Sequence, residues 1–194
     1  MTPRNILFIN GHPDAGSFGA VLETSYLEAA KAAGHTVRVL RIRELSFDPI
    51  LHHGYRLRQN LEADLERAKL DIDWAQHLVI LYPTWWGSLP ALLKGFFDRI
   101  LHSGWAYKVH KGRLIHDRLL SGRTAHLITT MGAPSWFDLL FYRRSAYRTL
   151  AYAILWYCGI KVKKFTIFDN MSQSTPGIRT KYLARMESLG RRGA

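Results

Sequence analysis

The chain has 194 residues, of which 47% are hydrophobic, and a formal charge of +12. That length predicts one domain over residues 1–194 with a sizeable core. A single cysteine, Cys158, excludes an internal disulfide framework and suits a reducing cytoplasm.

The positive charge favours anionic partners such as cofactor phosphates. Basic residues are spread along the chain with no nucleic-acid-binding motif beside them, so nucleic acid is not an expected partner. Residues 1–10 read as Met-Thr-Pro-Arg and then an ordinary strand, not a secretory signal. The most apolar stretch, Thr149 to Ile160, is far shorter than the ~20 residues of a transmembrane segment.

Asn5 to Asn10 is a continuous apolar strand, as expected of a parallel strand covered on both faces. The loop Gly11 to Gly19 follows, rich in glycine and small polar residues. A helix is predicted from about Ser17 to Ala33, stopped by Gly34. Free N–H groups and the helix dipole at such a junction attract phosphate. Ser17 can offer its hydroxyl to an anion or serve only as the N-cap. The loop fits neither G-x-x-x-x-G-K-[ST] nor G-x-G-x-x-G.

Thr36 to Leu40 is the second strand. Residues 41–60 read as irregular. His52 and His53 lack an acid or cysteine at ligand spacing, so a solvated pair is expected and no metal. Leu61 to Lys69 is helical, with Leu61, Leu65 and Ala68 inward. His77 to Tyr82 is the third strand. Pro83-Thr84-Trp85-Trp86-Gly87 then turns the chain into a helix carrying Leu89, Leu92, Leu93, Phe96, Phe97, Ile100 and Leu101 at helical spacing. Ser88 is the expected N-cap, with Pro90 in the first turn. Two tryptophans in a strand-to-helix turn suit a flat aromatic guest, against the plainer reading that both rings plug the core.

Thr124 to Thr130 is the fourth strand and ends in Met131-Gly132-Ala133-Pro134. Trp136 to Trp156 is expected to be helical at least from Tyr142, and its later half is apolar all round. A helix buried on every side would make a subunit interface plausible. Cys158, within that apolar run, reads as a buried filler. Lys161 to Phe168 is the fifth strand, with lysines suited to a sheet edge. Thr175-Pro176-Gly177 opens a last helix with Ile178, Tyr182, Met186 and Leu189 inward. Five strands alternating with helices predict an α/β fold: one parallel sheet, right-handed crossovers, order 2-1-3-4-5 in preference to a half-Rossmann. The loops after strands 1, 3 and 4 would then share one rim.

With those loops in view, the chain resembles the NAD(P)H:quinone oxidoreductases of the flavodoxin-like superfamily over most of residues 5–170. Gly11-His12 to Ser17-Phe18 is similar to their phosphate loop. Tyr82 to Trp86 with Leu89 to Arg99 is the most specific match. Gly104-Trp105-Ala106-Tyr107 and Thr129-Thr130 also fit. The resemblance implies a flavin held by His12, Ser17, Phe18, Gly19, Pro83, Thr84, Trp85, Trp86, Gly87, Thr130, Met131 and Gly132. It implies ping-pong hydride transfer from NADPH or NADH through flavin N5 to a quinone-like acceptor, and a homodimer. Phe47-x-Pro49-x-Leu51 favours flavin adenine dinucleotide (FAD) over the mononucleotide (FMN).

Three positions depart from the family pattern. Met131 replaces a glycine, and Gly19 an asparagine. The phenol and imidazole that assist proton movement are Phe137 and Arg143 here, leaving Tyr142 and Arg143 as candidates to stabilise the flavin anion. These departures and the apolar segment 149–157 keep a second reading open: a flavin-binding ancillary subunit of a membrane transporter.

Overall fold

The computed structural model describes residues 2–194. Its sheet runs β1 (Asn5–Asn10), β2 (Thr36–Arg41), β3 (His77–Pro83), β6 (Thr124–Thr130) and β7 (Lys161–Phe168), all parallel, in the order β2-β1-β3-β6-β7. Counted within the sheet this is the expected 2-1-3-4-5. A separate two-stranded ribbon, β4 (Tyr107–Lys108) with β5 (Asp117–Arg118), interrupts the count. Such short strands leave no periodic signal in the sequence.

Strand alternation builds two cores. Leu7, Ile9, Leu78, Ile80 and Leu127 face α2 (Ala63–Trp74), α3 (Ala91–Ile100) and the segment around Leu150. Ile6, Phe8, Val79, Leu81 and Ile128 face α1 (Phe18–Ala32) and α6 (Pro176–Arg191). Both faces of β1 and β3 are therefore covered, which is why those strands read as unbroken apolar runs. The edge strands β2 and β7 alternate instead. A bulge in β7 opposite Ala125/His126 breaks the lysine-rich edge.

Four expectations need correction. Helix α2 runs on to Trp74, because Leu65, Ala68 and Ile72 continue one buried stripe. Ser88 is not an N-cap: it exchanges two backbone hydrogen bonds with Trp85, at 2.8 and 3.1 Å, and Pro90 takes the cap position. The aromatic segment is helical earlier than expected and then breaks. Helix α4 (Ser135–Phe141) ends at Tyr142, and Arg143 and Arg144 both adopt left-handed φ before α5 (Ser145–Arg148). A π-helical stretch, Thr149–Trp156, follows and buries only one side. Leu150, Ala151 and Leu155 face the core, whereas Tyr152 and Trp156 are half exposed. In α6, Met186 and Leu189 are buried as expected, but Ile178 is exposed. Cys158 is buried, and burial pushes its thiol up to about 11, so it is inert filler.

Two loops are held by charge. Arg99, buried in α3, pairs with both oxygens of Glu62 at 3.0 and 3.2 Å and also donates to the carbonyls of Asp48 and Asn60. Pro49 presses on Gly95, where a Cβ would lie 2.6 Å from the Pro49 carbonyl oxygen. The Phe47–Leu51 segment is thereby locked onto α3, with Phe47 edge-on to Phe96. No helix of the described residues is long and apolar enough to cross a membrane.

At the opposite rim lie two buried histidines. His77 meets the Thr124 hydroxyl at 2.7 Å and His126 the Thr166 hydroxyl at 2.9 Å. Desolvation lowers both imidazoles to about 4. Unfolded, each takes its proton near 6.5. The unfolded chain therefore gains protons first as the pH falls. The histidines' contribution to stability is complete above 6.5 and is lost between 6.5 and 4, at roughly 3 kcal/mol per ring. Denaturant unfolding of the His126→Gln protein should show a visibly shallower loss over that pH window. An unchanged slope would contradict the assignment.

Candidate functional site

The three predicted loops meet at one rim because the sheet's ladder continues past the strand ends. Gly11 N–H donates to the Leu81 carbonyl at 2.8 Å, Thr84 N–H to Thr130 at 2.8 Å, and Met131 N–H to Phe168 at 3.0 Å. The hydroxyls of Thr84 and Thr129 add a 2.7 Å link. Each loop is thus tied to the strand beside it.

Two adjoining cavities of about 320 Å³ each open there and share Thr84, Trp85, Met131 and Gly132. The first is also lined by His12, Ser17, Phe18 and Gly19 from the first loop, and by Pro83 and Thr130. The second takes in Trp86, Gly87 and Tyr142. All the residues expected at a cofactor come together. Arg143 lies outside both linings and is exposed. Phe47, Pro49 and Leu51 lie outside them too, on α3.

The first cavity has the chemistry of an anion cradle. Ser17 is the backbone N-cap of α1, yet its hydroxyl makes no cap bond and is buried without a partner. A buried, unpaired hydroxyl is costly unless something else pairs with it. The first N–H groups of α1 point the same way. His12 is set by a relay: Glu23, itself paired with Arg41 at 2.7 Å, accepts from the Asn10 amide at 2.6 Å. The Asn10 side-chain Oδ1 accepts the His12 backbone N–H at 2.9 Å. The ring Nδ1 accepts the Asp14 N–H at 3.0 Å, and burial lowers the ring's pKa. A neutral ring with that bond carries its proton on Nε2, which is then a donor.

Sequence reading missed three contributors to this cavity. Arg179 reaches in from α6, its guanidinium 5.4 Å from the Phe18 ring and steadied by the Ser174 hydroxyl at 2.9 Å. Met171 and Ser172 come from the turn after β7. The only sequence signal was the helix start at Thr175-Pro176. Nothing in the linear pattern sets Arg179 apart from the other surface arginines.

The second cavity is aromatic. Trp85 is 44% exposed and meets His12 edge-on at 5.7 Å, and Trp86 is 95% exposed. The rings do not plug the core. Trp86 also holds φ +52°, a left-handed conformation that costs a side-chain-bearing residue about 1 kcal/mol. Gly87 follows at φ +68°, where a Cβ would lie 2.9 Å from the Tyr142 ring. Ser145 donates to the Gly87 carbonyl, so the turn is clamped from behind. The N–H groups of Thr84, Trp85 and Met131 are spent within the protein. Those of Trp86, Gly87 and Gly132 bond no acceptor among the described residues, and all three residues line the second cavity. Phe137 and Asp138 from α4 complete the wall.

A five-stranded 2-1-3-4-5 parallel sheet with an anion cradle and aromatic slot at one rim defines a doubly wound α/β protein of the flavodoxin-like class. The chain belongs to the family described as having the flavodoxin-like fold, which matches residues 4–189. It is 28% identical over 172 residues to an uncharacterized NAD(P)H oxidoreductase of Haemophilus influenzae, covering 86% of this chain and 84% of the relative. A solved structure from Streptococcus mutans superposes with a TM-score of 0.80 at 30% identity, covering 97% of this chain and 99% of that one. The NAD(P)H:quinone oxidoreductase of Methanothermobacter marburgensis superposes with a TM-score of 0.81 at 24% identity over the full length of both chains.

Two substitutions separate ligand demands from folding demands. Ser17→Ala removes an unpaired buried hydroxyl, and Trp86→Gly relieves the left-handed strain. Neither should lower the unfolding free energy, and the second should raise it by about 1 kcal/mol. A loss above about 1 kcal/mol in denaturant unfolding would show that these groups serve the fold.

Proposed function

We propose that residues 1–194 act as one domain, a flavin-dependent NAD(P)H oxidoreductase that reduces quinones or similar acceptors. The observation that carries this reading is the anion cradle set edge to edge with an open aromatic slot at the rim where doubly wound sheets take ligands. The residues fit a flavin. Ser17, the His12 Nε2, Arg179 and the first turn of α1 would hold phosphate. Trp85 would border the ring. The unspent N–H groups of Trp86, Gly87 and Gly132 would receive its carbonyl oxygens and, on reduction, its negative charge. FAD is favoured only by the family resemblance of Phe47-x-Pro49-x-Leu51, a segment outside both cavities.

When bound, flavin supplies two-electron hydride transfer between a nicotinamide and an oxidised acceptor. The protein's part is to orient and to exclude water. Trp86 and Tyr142 offer the open aromatic surface on which nicotinamide and quinone would stack in turn, giving ping-pong order. Met131, buried between the cavities, narrows the approach and favours flat guests.

The purified protein should take up flavin, lose its yellow colour with NADPH or NADH, and regain it with benzoquinone. The mass of the released group distinguishes FAD from FMN. Trp86→Ala should weaken flavin retention or turnover about tenfold. Trp74→Ala should change neither more than twofold, since Trp74 packs beneath Arg38 away from the rim. Equal behaviour of the two variants would reduce the turn to packing. Full flavin loading without turnover would instead support the ancillary-subunit reading.

We also propose a homodimer through the half-exposed face of Tyr152 and Trp156. Sedimentation at micromolar concentration should give twice the chain mass. A single-chain mass would overturn it.

A further inference from the structure

Reduction of a quinone by two electrons needs a proton as well as a hydride. Phe137 and Arg143 stand where the resembled enzymes keep a phenol and an imidazole. Phe137 has no proton to give, and Arg143 is exposed away from the cavities. The next residue after Phe137 is an acid. Asp138 is 5% exposed, in the first turn of α4, and lines the second cavity beside Trp86, Gly87 and Phe137. Its backbone carbonyl accepts from the N–H groups of Tyr142 and Arg144, at 3.2 and 3.1 Å, which fixes the helix end around it. Its carboxyl is left over: Oδ1 is buried and makes no hydrogen bond.

We propose that Asp138 is the proton donor to the acceptor in the second cavity, in place of the missing phenol and imidazole. This rests on the oxidoreductase reading above. As hydride arrives on the quinone ring, one carbonyl oxygen takes the carboxyl proton. Asp138 is left as carboxylate, and solvent returns the proton once the hydroquinone has gone. The sum is NAD(P)H plus a proton plus quinone giving NAD(P)⁺ plus hydroquinone.

The surroundings keep that proton in place. Burial raises the carboxyl above its ordinary value, opposed only in part by Arg144. Two neutral tyrosines stand in this region. The Tyr82 hydroxyl is buried without a partner, and burial, then Asp138 and Tyr147, raise its pKa so that it stays neutral. Tyr147 is likewise raised by burial. Tyr142 borders the same cavity. A flat acceptor entering between Trp86 and Phe137 would displace water and favour the protonated acid further.

Three measurements test this. In flavin-free protein, the carbon-13 shift of the Asp138 carboxyl should titrate above the ordinary value of about 4. In loaded protein, the rate of quinone reduction should be highest at low pH and fall as pH rises through that midpoint. Asp138→Asn should lose this dependence and slow quinone reduction about 10²-fold or more. Its reduction of ferricyanide, which takes electrons without protons, should be retained, and Asp138→Glu should restore part of the pH-dependent rate. An ordinary titration midpoint, an equal loss toward both acceptors, or a raised KM with unchanged kcat would overturn the proposal. If the protein takes up no flavin, or NAD(P)H fails to reduce it, the oxidoreductase reading falls. The carboxyl titration then judges the acid alone.

Discussion

Three backbone hydrogen bonds carry the site: Gly11 to Leu81, Thr84 to Thr130, and Met131 to Phe168. Each continues a parallel ladder one step beyond its strand. Parallel strands all end at the same rim, and the helices return the chain to the other one. Every strand-to-helix loop in this sheet therefore begins from the same edge. The ladder bonds then decide which loops touch. They bring together the loops after β1, β3 and β6, and the turn after β7 joins them where Met171 N–H donates to the Met131 carbonyl at 3.0 Å. Without the Thr84–Thr130 bond the tryptophan turn would swing free of the Met131 loop, and the two cavities would lose their shared wall.

The site keeps unsatisfied groups of its own, as do other buried places such as Tyr26, His77, His102 and His126. Ser17, Tyr82, Asp138 and Arg144 all keep buried polar atoms without partners, and each lies at or behind the two cavities. Trp86, Arg143 and Arg144 hold left-handed backbone that their side chains disfavour. Beside an open cavity, the unpaired Ser17 hydroxyl and Asp138 carboxyl are free to bond a guest. The buried charge of Arg99 at the far side of α3 is bonded through its terminal nitrogens to Glu62, Asp48 and Asn60, while its Nε has no partner.

Much of the fold was legible because periodicity reports burial. The apolar runs of β1 and β3 declared their central places, and the lysines of β7 its edge. The cofactor loops were legible because glycine, proline and tryptophan cluster at strand ends. Legibility failed where a residue's role depends on what lies across a gap. The stripe Leu65, Ala68, Ile72 carried α2 past its expected end, since helix length follows the surface to be covered. The apolar stretch 149–156 looked buried on all sides, but only Leu150, Ala151 and Leu155 find core to face. Arg143 was placed at the site by linear alignment. The break after α4 turns it outward, while Asp138, next to Phe137, stays in the wall.

By itself, then, the sequence determined the order of elements, the parallel sheet and the three loops that form its binding rim, because those follow from local pattern and from chain connectivity. Only the tertiary structure decided that Arg179 joins the anion cradle, that Trp86 stands free, and that Asp138 is enclosed without a partner. Enclosure, desolvation and strain are properties of what surrounds a group. Distant segments supply those surroundings, and no local pattern encodes them.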